Sequence, residues 1–161
     1  MQSSCLIPGT EIPVTLAYQR VVDSPDLYTK AIKFWTRQEQ IHVEIIVGDI
    51  WLSSTLGKGV RVKPLGPLKS NYVYQKLPNA HLTDAQYKIF MSWADAQNGK
   101  KYDMTGIIFS QIIPVRFDDK KKWFCSELAT KALQILGYQE VLELYPQEVT
   151  PGDLWELFNN V

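Results

Sequence analysis

The feature that most constrains the fold is a run of alternating residues that ends in a tight turn. Residues 41–47 read Ile-His-Val-Glu-Ile-Ile-Val, and Gly48-Asp49 follows directly. Successive side chains of a strand point to opposite faces, so His42 and Glu44 share one face while the odd-numbered apolar residues lie on the other. Gly-Asp suits a two-residue hairpin turn. The run therefore predicts one arm of an antiparallel hairpin.

A two-residue loop would also fix the register of the hairpin. Glu44 is then expected opposite Ser53, and His42 opposite Thr55. In that register two hydroxyl groups would flank the imidazole. Further strands are predicted at 14–21, 60–64 and 71–77, which together give a meander of antiparallel strands.

Helix signals surround these strands. Residues 100–122 lack clear periodicity and are expected to be irregular. The helices are predicted to begin at a cap, or at the return of apolar periodicity, in four places: Ser24-Pro25-Asp26, Thr83–Gln86, Phe124 and Thr150-Pro151. The sequence thus predicts an α+β fold in which an antiparallel sheet packs against helices.

Composition narrows the class of protein. The chain has 161 residues, 45% of them apolar, which suits one domain over residues 1–161. Its 17 basic and 17 acidic side chains cancel, so neither nucleic acid nor an anionic membrane is an expected partner. No signal peptide is visible, and no apolar run reaches roughly 18 residues, so no membrane-spanning helix is predicted. We expect a cytoplasmic protein.

Cys125 and His42 are the candidates for chemistry. The chain has two cysteines, Cys5 and Cys125, and no CxxC pair, so neither a disulfide framework nor a cysteine-rich zinc site is predicted. Cys125 stands where an apolar helix begins, and unpaired N–H groups at a helix N-terminus stabilise a thiolate. A buried core cysteine is the competing interpretation. Of the two histidines, His81 is predicted to lie in a turn and to have no role in chemistry.

The order of these motifs resembles one family. The His42 strand comes first, Lys-Tyr-Asp at 101–103 follows, then Phe-Cys-Ser-Glu-Leu at 124–128 and Thr-Pro-Gly-Asp-Leu at 150–154. From about residue 14 to 158 the chain is similar to papain-like amidases of the NlpC superfamily, in their circularly permuted, YiiX-like branch. The resemblance implies a permuted papain-like fold.

The resemblance also implies roles for individual residues. Cys125 corresponds to the nucleophile and His42 to its base, which together form a thiolate–imidazolium pair. Tyr102 matches a tyrosine that lines such sites. The usual polar residue that orients the histidine is replaced by Thr55, so we expect Glu44 to orient His42, with Thr55 as second candidate and as a lining residue. No metal or cofactor is implied.

The implied reaction is hydrolysis of an amide bond, in cell-wall peptides or similar isopeptides, through a thioester intermediate. A lipid acyltransferase or thioesterase on the same fold is an alternative, and residues 107–113 would then line an apolar cleft. A binding module without turnover is the other alternative. The oligomeric state stays open.

Overall fold

The computed structural model describes residues 11–20, 40–55, 57–102 and 122–159. They form strands β1 (Glu11–Ile12), β2 (Val14–Arg20), β3 (Gln40–Val47), β4 (Ile50–Thr55), β5 (Gly59–Pro64), β6 (Val73–Lys76), β7 (Ala80–His81), β8 (Lys101–Tyr102) and β9 (Lys122–Trp123). The α-helices of this part are α1 (Asp84–Gln97), α2 (Cys125–Leu136) and α3 (Pro151–Asn159), with 3-10 turns at Gln139–Val141 and Pro146–Glu148. The predicted mixed α+β class is confirmed.

A five-stranded antiparallel sheet in the order β5-β4-β3-β2-β6 forms the centre of the fold. Strands β2 to β5 follow the predicted meander, whereas β6, which was expected to continue it, lies at the opposite edge, beside β2. The turn between β3 and β4 is the predicted one, with Gly48 at a φ of 58°, where glycine has no steric cost.

The predicted register of this hairpin holds only near its turn. Val47, Ile46 and Ile45 pair with Ile50, Trp51 and Leu52, and the ladder ends there. The expected pairs Glu44–Ser53 and His42–Thr55 are wrong. Beyond Leu52, β4 continues along β5 alone, while β3 continues along β2, where Ala17 faces Glu44 and Gln19 faces His42.

Helices α1 and α3 begin at the predicted caps, and α2 begins directly after Phe124, where apolar periodicity returns. Thr83 and Gln86 form a capping box at α1, with the Gln86 N–H donating to Thr83 Oγ1 at 3.3 Å and the Thr83 N–H donating to Gln86 Oε1 at 2.9 Å. Thr150 and Asp153 make the same exchange before α3, at 3.1 and 2.8 Å. Helix α2 ends at Gly137, which has a φ of 85°.

Two apolar clusters cover the sheet. The larger one joins the odd-numbered residues of β3 to one face of α2, including Leu128, Ala129, Ala132 and Leu133. The smaller one holds Ala17, Ile46 and Trp51, with Tyr72 and Tyr74 against them. Ile46 and Glu44 share a face of β3, so the smaller cluster lies on the side that carries His42 and Glu44.

Some predicted elements fall outside the described residues. The helix expected after Ser24 lies there, and so does most of the segment expected to be irregular. Four residues of that segment are described, and three of them lie in strands, since Lys101–Tyr102 pairs in parallel with Lys122–Trp123. No helix in the described part of the chain has the length and hydropathy needed to cross a bilayer.

Candidate active site

His42 and Glu44 lie side by side on β3. Their Nε2 and Oε1 atoms are 3.2 Å apart, and their side chains are 13% and 2% exposed. The contact follows from the strand itself, because residues two apart share a face. Glu44, which was expected to orient His42, is therefore within hydrogen-bonding distance of the imidazole.

Cys125 is the first residue of α2 and is 1% exposed. Its side chain lies close enough to His42 to raise the pKa of the imidazole through its charge and hydrogen bonding. Because Nε2 of His42 faces Glu44, Nδ1 is the ring nitrogen left for the sulfur. The structure thus brings together the three side chains Cys125, His42 and Glu44, from positions 81 residues apart in the case of Glu44 and Cys125.

Strand β4 separates from β3 after Leu52, in the region of the sheet that carries His42 and Glu44. Ser54, in the part of β4 that has left β3, donates its hydroxyl to the Trp123 carbonyl at 2.7 Å. Trp123 precedes Cys125 by two residues, so this bond fixes the entry to α2 beside the diverging strands. The Ser126 hydroxyl holds the other side of the entry, donating to the Val149 carbonyl at 2.5 Å.

The charge state of His42 follows from its neighbours. Burial lowers the pKa of its imidazole, but the interactions with Cys125 and Glu44 outweigh burial and raise the pKa from 6.5 to about 9. The ring is therefore protonated at neutral pH. Cys125 and Glu44 are the two neighbours that stabilise the charged form of this imidazole.

Glu44 has more partners than the sequence suggested. Its Oε2 accepts from Trp51 Nε1 at 2.5 Å and from Lys69 Nζ at 3.3 Å. The Tyr72 hydroxyl also lies close to Glu44, whose carboxylate adds to burial in raising the pKa of the phenol. Burial raises the pKa of the Glu44 carboxyl, yet His42 and Lys69 together bring it below its usual value. Glu44 is therefore an ionised carboxylate in the sheet.

Sequence reasoning missed Trp51, Lys69 and Tyr72. One signal for Trp51 was present: the predicted register pairs it with Ile46, on the face of Glu44, which makes it a diagonal neighbour of the carboxylate. Tyr72 and Lys69 carried no such signal, because their position depends on β6 crossing to the far edge of the sheet beside β2.

The predicted lining residues are placed differently. The Thr55 hydroxyl accepts from Arg61 Nη2 at 3.2 Å, across the β4–β5 pair, and does not stand opposite His42. The backbone of Tyr102 pairs with Trp123, near the start of α2. The side chain of Tyr102 and residues 107–113, predicted as a possible apolar cleft, lie outside the described part of the chain.

Within residues 11–20, 40–55, 57–102 and 122–159, no group of three or more His, Cys, Asp or Glu side chains is arranged to hold a metal ion. We compared the chain with family models, with curated proteins and with solved structures, and none of the three comparisons finds a match.

Proposed function

We propose that this chain is a cysteine hydrolase of papain-like, circularly permuted type that cleaves amide bonds. The observation that carries the proposal is the position of His42, 3.2 Å from Glu44 and near enough to Cys125 for that side chain to raise its pKa. A thiol with an imidazole and an orienting carboxylate is the arrangement that activates a cysteine nucleophile. The resemblance in motif order adds the substrate class, amides in cell-wall peptides or isopeptides.

In the proposed reaction the Cys125 sulfur attacks the carbonyl carbon, and the carbonyl π electrons move onto oxygen. Backbone N–H groups of the first turn of α2 supply donors for that oxyanion. Collapse expels the amine, which takes its proton from the His42 imidazolium, and a thioester remains. Water then attacks the thioester, His42 accepts its proton, and the acid and free thiol are released.

The burial of Cys125 restricts the access of a substrate to its sulfur. Cys125 is 1% exposed, whereas the side chains of His42 and Lys69 are 13% and 46% exposed. The site therefore meets solvent on the side of His42 and Lys69, and groups around the sulfur must move before a substrate carbon reaches it. The same burial favours the second candidate function, a binding module that keeps the fold without turnover.

Alkylation of Cys125 by iodoacetamide at pH about 6 separates the two candidates, because only the thiolate reacts. The background is Cys5→Ser, so that labelling reports on Cys125 alone. We expect fast labelling of the parent protein and at least about a tenfold slower rate in His42→Ala, since the thiolate loses its counter-charge.

The matched control is His81→Ala, which removes an exposed histidine 4.0 Å from Glu11 and should leave the rate unchanged. Slow labelling in the parent and in His42→Ala alike would favour the binding module. A panel of peptide amides and acyl esters, with mass spectrometry of the acyl-enzyme, then distinguishes an amidase from a thioesterase or acyltransferase.

A further inference from the structure

Lys69 covers the oxygen of Glu44 that faces away from His42. Its Nζ is 3.3 Å from Glu44 Oε2 and lies 4.7 Å from the ring centroid of Trp51 and 4.5 Å from that of Tyr72. An ammonium at these distances from an aromatic face is attracted by the ring quadrupole. The cation is thus held by two rings and one carboxylate, although its side chain is 46% exposed.

The backbone of Lys69 is fixed as well. Its N–H donates to the Tyr74 hydroxyl at 2.7 Å, and that hydroxyl donates to the Lys69 carbonyl at 3.0 Å. Tyr74 belongs to β6, so the loop residue is tied at both of its peptide groups to an edge strand of the sheet. Holding a loop lysine in one position costs conformational entropy. Here several weak contacts together offset that cost.

The two oxygens of Glu44 consequently have different partners. Oε1 faces His42, while Oε2 is shared by Trp51 and Lys69. We propose that Lys69 is a positioning residue of this site: its ammonium holds the outer oxygen of Glu44, which keeps the carboxylate ionised and leaves the inner oxygen aimed at His42. This inference rests on the function proposed above, and Lys69 itself acts only through Glu44.

The groups that face Glu44 determine whether the loss of Lys69 raises or lowers the pKa of its carboxyl. They are His42 on its own strand, Lys69 on the loop, Tyr72 and Tyr74 at the β6 edge and, beyond His42, Cys125 on α2. Of these described groups, His42 and Lys69 lower the pKa of Glu44. Replacing Lys69 by a neutral residue therefore raises it, and a protonated Glu44 no longer stabilises the imidazolium of His42.

The experiment is a pH profile of Cys125 alkylation in the Cys5→Ser background. We expect Lys69→Met to move the acid limb upward by about one pH unit. Lys69→Arg should restore the parent profile, because it returns the charge. Added salt should move the parent limb in the same direction, since the pair is partly exposed.

The matched control is Lys76→Met, which removes an exposed lysine from β6. An acid limb that stays in place in Lys69→Met, or that moves equally in Lys76→Met, would overturn the inference.

A second measurement does not depend on reactivity. The carboxyl carbon of Glu44, followed by NMR in protein labelled with ¹³C-glutamate, should titrate at higher pH in Lys69→Met than in the parent. An unmoved titration in a protein whose sulfur reacts would overturn the role of Lys69 alone. An unreactive parent sulfur would overturn the proposed function and, with it, the positioning role of Lys69.

Discussion

At the scale of single residues, Glu44 is the side chain that explains most of the site. A carboxylate whose side chain is 2% exposed is costly to bury unless its oxygens are paired. Glu44 meets that cost with an imidazole, an indole N–H, an ammonium and a phenol. Its charge is therefore what holds His42, Trp51, Lys69 and Tyr72 in one group.

Glu44→Gln keeps the shape of this residue and removes its charge. We expect Cys125 to be alkylated at least about tenfold more slowly at pH about 6, because the imidazolium loses a counter-charge. We also expect a loss of roughly 1–3 kcal/mol of unfolding free energy, since donors on several sides would face an amide. Urea titration measures the second effect.

The control for this variant is Glu143→Gln at an exposed position, which should change neither quantity. A Glu44→Gln protein that is destabilised but labelled at the parent rate would mean that Glu44 has a structural role only.

At the scale of elements, the early end of the β3–β4 ladder matters most. Had the ladder continued, β4 would pair with β3 beside His42 and Glu44. Instead β4 follows β5, and the Ser54 hydroxyl binds the chain just before α2. Strand β5 is in turn fixed to the segment after α1, with the Val60 N–H donating to the Lys100 carbonyl at 2.8 Å.

Gly59→Ala tests this chain of contacts. Gly59 has a φ of 67°, and a Cβ placed there would lie 2.3 Å from the Lys100 carbonyl oxygen. The backbones must separate, so we expect a loss of roughly 2–4 kcal/mol in urea unfolding. Slower labelling of Cys125 should accompany it, because β8 begins at Lys101 and pairs with the segment leading to Cys125.

Gly57→Ala is the matched control, since Gly57 has a φ of 76° but a Cβ at this position would meet no atom within 4 Å. This substitution introduces only the strain of a positive φ and should lower the free energy of unfolding by about 1 kcal/mol. Equal losses at the two glycines would show that the close approach at Gly59 is relieved at little cost.

At the scale of the whole molecule, the site joins two parts of the fold. Cys125 packs in the larger apolar cluster with α2, whereas His42 and Glu44 lie on the sheet face of the smaller, aromatic cluster. The interaction between His42 and Cys125 therefore connects groups from different layers. The interaction exists only while the two layers are packed together in the folded protein. Cys125 and Glu44, the two partners of the imidazole, should therefore both affect how stability depends on pH.

The pKa shifts predict that dependence. His42 has a folded pKa of about 9 against an ordinary value of 6.5, so its stabilisation is complete below pH about 6.5 and is lost as the pH rises through about 9. Glu44, with a lowered pKa, stabilises above its ordinary value of 4.5 and loses that effect as the pH falls through its folded value. Stability from this pair is therefore greatest between the two ordinary values.

We expect the difference in unfolding free energy between the parent and His42→Ala to shrink as the pH rises from about 6 to about 9. Urea unfolding at a series of pH values measures it. His81→Ala, at a histidine that is 72% exposed, should show no comparable trend. A pH-independent difference for His42→Ala would contradict a protonated imidazole in the folded protein.

Local patterns in the sequence determined the elements. The alternation of residues 41–47 and the Gly48-Asp49 turn predicted β3, the bend and the shared face of His42 and Glu44, because strand periodicity is a property of the backbone alone. Capping residues predicted the starts of α1 and α3 in the same way, and Gly137 predicted the end of α2.

Tertiary structure decided what those elements bring together. The sequence could not show that β4 leaves β3 after Leu52, since that depends on competition with β5 and on the bond from Ser54 to the Trp123 carbonyl. Nor could it show Lys69 beside Glu44, 25 residues away along the chain. Contacts of this kind arise from packing between distant segments, and a local pattern carries no information about which distant segments will meet.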